Sequence, residues 1–178
     1  MKSIRLIFVA LCCPIAVFCQ DITGLWTGTL YNDSSNQYYD YEIAISKENG
    51  KYVGFSQTLF LIENRNYFGL KKVKVKIAND GRIVLEDGEM VLNNYPQQPT
   101  KNVRQLNVLT LNTTKGEDTL TGFFVTNRTK KFASLTGKVT LKKKAGLSNS
   151  EFARYFANIL KGEEFTFTPA QESTLSRD

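Results

Sequence analysis

The densest acids in this sequence are Glu86, Asp87 and Glu89. Two carboxylates held on either side of a scissile bond can act as acid and base, as in glycoside hydrolysis. Nothing else marks such a pair here, and solvated strand positions account for all three acids. There is no histidine, which removes the commonest general base and the commonest zinc ligand. The three cysteines, Cys12, Cys13 and Cys19, crowd into residues 1–19, so the rest of the chain offers no Ser-His or Cys-His device. No glycine-rich phosphate loop follows a strand and opens a helix. These residues imply no catalytic group, no metal and no cofactor. The expected role is binding, not enzymatic catalysis.

Binding residues must be positioned by the elements around them, and those elements read as strands. In 21–31, Ile22, Gly24, Trp26, Gly28 and Leu30 share one face, because side chains alternate with period two. Glycines two residues either side of the only tryptophan leave room for an indole and let the strand bend. The pattern continues as strands over 38–47, 51–62, 67–78, 82–92, 103–112, 118–126 and 132–143, making eight. In the fourth, Val73, Val75 and Ile77 oppose Lys72, Lys74 and Lys76. Such lysine stripes read as a solvated outer wall that also discourages edge pairing. The inner wall is expected to be apolar and nearly free of charge.

Connections alternate in kind. Those at 48–50, 79–81 and 114–117 are short and contain Asn-Gly, Asp-Gly or Lys-Gly, suited to tight hairpins. Those at 32–37, 63–66, 93–102 and 127–131 are looser. In a meander, successive turns lie at opposite ends, so the tight turns form a floor and the loops a rim. Short sequential links also exclude a parallel α/β sheet. The fold class expected is all-β: an eight-stranded antiparallel up-and-down barrel over 20–146, with one C-terminal helix over 147–162. Ser148 and Glu151 form the capping box of that helix and Gly162 ends it; Phe152, Tyr155, Phe156 and Ile159 make a stripe that packs on the barrel. Residues 163–178 read as a flexible tail.

Residues 1–19 read as a secretory signal: Lys2 and Arg5 before an apolar run over 6–18, with Cys19 preceding the cut. The run is too short for a spanning helix. The competing reading, lipid anchoring at Cys19, places bulky Phe18 where a small residue is expected. Export without structural cysteines suggests a bacterial envelope protein, periplasmic or extracellular. The net charge is +6, of which two charges lie in the leader. So modest an excess does not argue nucleic-acid binding, which usually concentrates Lys and Arg on one face among stacking aromatics, and no nucleic-acid partner is expected.

Gly24-Leu25-Trp26 on the first strand, the eight-strand meander and a helix after the last strand together resemble the lipocalin-like (calycin) group over 21–162. The last strand carries Lys138, Lys142, Lys143 and Lys144 where many lipocalins place an arginine against the motif tryptophan. The opening also looks like an avidin. Avidins use several tryptophans, so biotin binding does not carry over. The resemblance implies a small lipophilic ligand held within the barrel. Candidate wall residues are Trp26, Tyr39, Tyr41 and Phe124; candidate rim residues are Tyr31, Tyr38, Arg65, Tyr67, Tyr95 and Arg128. Eight-stranded barrels are also found filled. The alternative expectation is a non-enzymatic structural or interaction protein with a solid barrel that docks an envelope protein. No membrane-spanning segment is expected.

Overall fold

The computed structural model describes residues 21–145. The signal peptide expected at 1–19, the helix at 147–162 and the tail at 163–178 lie outside the described residues.

Eight strands form one closed barrel: β1 (Gly24–Asn32), β2 (Gln37–Glu48), β3 (Lys51–Ile62), β4 (Arg65–Ile77), β5 (Ile83–Asn93), β6 (Gln105–Thr114), β7 (Glu117–Thr126) and β8 (Thr136–Lys144). Each pairs antiparallel with the next, and β8 closes on β1 with Gly28 opposite Leu141. The fold expectation therefore stands as an all-β, antiparallel, up-and-down barrel.

Three reversals are two-residue turns with both central residues at positive φ: Asn49-Gly50, Glu63-Asn64 and Lys115-Gly116. The second corrects the expectation of a loose 63–66 loop. Asn64 tolerates the left-handed region, so a tight turn forms there without glycine. The last strand also starts later than expected. Residues 132–135 belong to the rim loop, within which Thr129 and Phe132 form an isolated bridge.

The lower barrel is filled. Trp26, Ile43, Ile45, Ile83, Leu85, Leu109, Leu120 and Leu141 are all buried in one cluster. The Trp26 indole N–H donates to the Ile22 carbonyl at 2.9 Å, and the Lys143 ammonium lies 5.5 Å from the ring centroid. A lysine thus stands over the motif tryptophan, a cation–π contact. Gly28 serves the wall more than the indole. A Cβ there would lie 2.1 Å from the Thr140 carbonyl oxygen, so a side chain would push β8 away. A smaller cluster of Leu25, Ala44 and Leu70 is buried on the outer face, with Phe55 and Leu92 against it.

The wall is not uniform. The β4–β5 ladder slips between Leu70 and Lys71 and between Lys71 and Val73. The β5–β6 ladder runs only from Ile83 opposite Leu109 to Glu86 opposite Leu106. Beyond Glu86 the upper part of β5 has no ladder to β6, and the 94–104 loop lies along that seam.

Candidate functional site

The upper interior departs from the expectation of an uncharged wall. Lys71 has the same parity as Val73, and Asp87 the same parity as Ile83 and Leu85, so both enter the barrel. Their ion pair measures 2.5 Å, with side chains 24% and 3% exposed. Asp87 is therefore no solvated surface acid. Its carboxylate also accepts the Gln105 backbone N–H at 3.1 Å, where the β5–β6 ladder has ended. The carboxylate replaces a missing strand carbonyl, which explains why a charge is tolerated there: it has an ammonium partner and a backbone donor.

Below the pair lies a neutral network. The Asn107 amide donates to the Tyr41 hydroxyl at 3.3 Å. The Gln105 amide donates to the Asn107 side-chain oxygen at 2.8 Å and to Tyr41 at 3.4 Å. Asn107 and Tyr41 are almost completely buried. Burial, reinforced by the Asp87 charge, raises the Tyr41 pKa well above the ordinary tyrosine value. The hydroxyl is thus a neutral group that serves as a fixed hydrogen-bonding point.

Above the pair sits an aromatic cover. Tyr39 and Phe60 have ring centroids 5.0 Å apart, and Phe60 and Tyr95 5.9 Å apart. Tyr95 comes from the 94–104 loop, not from a strand. It reaches the barrel mouth because residue 69 is glycine: a Cβ there would lie 2.0 Å from the Tyr95 hydroxyl oxygen. Burial first, then Asp87, pushes the Tyr95 pKa up to about 12. Two asparagines pin the loop. Asn94 accepts the Phe68 N–H at 2.7 Å and donates to the Asn66 carbonyl at 3.0 Å. Asn127 accepts the Arg104 N–H at 2.7 Å and donates to the Asn102 carbonyl at 2.9 Å.

These groups enclose a cavity of about 150 Å3 whose lining includes Tyr39, Tyr41, Ser56, Lys71, Asp87 and Gln105. A second hollow of about 490 Å3 lies along the 94–104 loop and shares Lys71, Tyr95, Val103 and Phe132 with the first. Ligand sites commonly span about 300–1,000 Å3. The inner chamber alone falls short of that range, whereas the outer hollow falls within it.

Of the expected site residues, Tyr39, Tyr41, Tyr95 and Phe124 line the inner cavity. Trp26 does not; it is sealed in the filled lower barrel. Tyr31 and Tyr38 lie against each other on the outer wall, ring centroids 4.8 Å apart and planes tilted by 47°, with Tyr38 71% exposed. Tyr67 lies half-buried on β4, and Arg65 and Arg128 are exposed at the rim. None of these five lines the inner cavity. The reading missed Lys71, Asp87, Gln105 and Asn107. Parity with Val73 and Leu85 could have found the first two. Among the described residues, no group of three or more His, Cys, Asp or Glu could hold a metal ion, and no helix is long and apolar enough to cross a membrane.

No protein-family model matches the chain, and comparison with curated proteins finds no match. The fold and the site geometry therefore carry the functional argument.

Proposed function

We propose that this chain is an exported lipocalin-like binding protein of the bacterial envelope, and that its ligand is a small amphiphilic molecule held in the upper barrel. The polar head faces Lys71, Asp87 and Gln105, and the flat apolar body lies against Tyr39, Phe60 and Tyr95. One observation supports the reading above the others: the part of the barrel left unfilled is the part lined by hydrogen-bonding groups. A long acyl chain fits poorly, because the space below Tyr41 is occupied by packed side chains. The sequence-level idea of a purely hydrophobic ligand is narrowed accordingly. Binding without catalysis is favoured because the ionisable groups present pair with each other or with the backbone.

The test is a panel of aromatic fragments with single polar heads, followed by the side-chain amide NMR signals of Gln105 and Asn107. Polar-headed fragments should shift both signals, and Tyr41→Phe should weaken those shifts. If only long-chain lipids bind, or if no fragment moves these amides, the reading is wrong.

A further inference from the structure

The outer wall near the rim carries apolar side chains that the binding pocket does not use. Phe123 on β7 pairs with Lys138 on β8, Lys138 with Tyr31 on β1, and Tyr31 with Tyr38 on β2. Because paired residues share a face, these four form one row across the outer surface. Phe123 is 65% exposed. Leu61 on β3 lies two residues past the last β2–β3 pair, Asp40 with Leu59, and extends the row.

The β3–β4 ladder continues to Ile62 opposite Arg65, three residues beyond that last β2–β3 pair. The hairpin therefore parts from β2, which runs on to Gln37 paired only with β1, and ends as a two-stranded arm. Its tip offers Leu61 and Ile62, which are 69% and 51% exposed. Ile62 has the parity of the inner wall, yet the arm carries it clear of the barrel. Two adjacent aliphatic side chains on an exposed tip cost solubility and add nothing to the core.

The charges around these groups have a bias. Lys138 lies within the row, Arg65 beside the arm tip, and Arg128, Lys130 and Lys131 in the loop between β7 and β8; all are exposed. The exposed acids near the row are fewer: Asp33 and Glu63 in the flanking turns and Asp40 on the outer wall two residues from Tyr38. Apolar and aromatic groups interleaved with cations match a membrane interface, where side chains enter the headgroup boundary and cations meet anionic lipid. A protein partner would need shape complementarity across a convex wall; a lipid surface deforms to fit it.

We propose that the rim docks peripherally on an anionic lipid surface, with the β3–β4 arm and the Phe123–Tyr38 row as its contact and the basic rim loops as its electrostatic complement. The barrel does not span the membrane. The outer wall between the row and the floor carries Thr29, Asp40, Thr121 and Thr140, which do not suit hydrocarbon. This inference does not depend on the pocket binding any ligand.

The experiment is flotation of the full chain, lacking residues 1–19, with vesicles of phosphatidylcholine alone or with about one third phosphatidylglycerol. Binding to the anionic vesicles should be at least about tenfold stronger and should fall as salt is raised. The double variant Leu61→Asp/Ile62→Asp should lose that binding while keeping its thermal midpoint, because both positions are exposed. Phe123→Ser/Tyr38→Ser provides a second variant on separate strands, used if the first fails to fold. The proposal is overturned by failure to bind either vesicle, by equal binding to both, or by wild-type binding in a folded variant. Retention by an envelope protein without vesicle binding would also overturn it and would assign the patch to a protein partner.

Discussion

Lys71 and Asp87 meet inside the barrel at 2.5 Å, beside the slip in the β4–β5 ladder; both line the inner cavity, and only the lysine also lines the outer hollow. Removing one member of a buried pair leaves the other charge without compensation. Lys71→Met should therefore cost about 3 kcal/mol in urea unfolding, the low end for such pairs because one partner is part-solvated. Lys71→Met/Asp87→Asn should recover part of that loss, since the amide oxygen still accepts the Gln105 N–H. A double variant no more stable than Lys71→Met would show that the pair is not the source of the cost.

Gly69 and Tyr95 should behave as one unit. A methyl group at residue 69 would lie 2.0 Å from the phenol oxygen, so Gly69→Ala must expel Tyr95 from the barrel mouth. Overpacking of this kind costs about 1–3 kcal/mol. In Tyr95→Ala the obstruction is gone, and Gly69→Ala should then be nearly neutral. A double-mutant cycle should return a coupling of about 1 kcal/mol or more. Additive losses would mean that the ring does not occupy this position in solution.

Some of this arrangement was legible in the sequence and some was not. Period-two alternation located all eight strands because one wall of each is buried, and the Asn-Gly and Lys-Gly pairs located two of the tight turns. The Glu63-Asn64 turn was missed because asparagine can stand in for glycine there. The inner charges were missed for a different reason. Lys71 sits beside Lys72 and Asp87 beside Glu86, so each looks like one more surface charge, although its parity with Val73 or Leu85 points inward. Tyr95 was recognised as a rim residue. What brings it into the mouth is the absence of a side chain at Gly69, twenty-six residues earlier. That contact follows from register, and no local pattern carries it. Gly28 was assigned the wrong neighbour: a side chain there would meet the β8 backbone and not the indole.

Trp26 should be a reporter of folding and not of ligand. It is fully buried, its N–H is bonded to Ile22, and it does not line the upper cavity. Its emission should be blue-shifted in the native protein and should move to longer wavelength only on unfolding. Fragments that shift the Gln105 and Asn107 amides should leave Trp26 emission almost unchanged. Trp26→Ala should cost about 3–5 kcal/mol, as for other large aromatic truncations in a filled core. Strong quenching by a bound fragment would place the ligand lower in the barrel than the cavity allows.

The two raised tyrosines predict an alkaline signature. Tyr95 titrates near 12 and Tyr41 above the ordinary value, because burial and the Asp87 charge disfavour both phenolates. A folded-state pKa raised above the unfolded one means that the native state holds its proton longer. The associated stability is complete below the unfolded pKa of about 10 and is lost as pH rises through the folded value. At about pH 11, phenolate absorbance of the folded protein should be the same in wild type, Tyr95→Phe and Tyr41→Phe, since neither wild-type hydroxyl has ionised. Between about pH 10 and 12 the wild type should lose more stability than Tyr95→Phe, which has no phenol to ionise at that position on unfolding. An absorbance step at about pH 10 that disappears in Tyr95→Phe would show the hydroxyl in open water, with the mouth of the barrel uncovered.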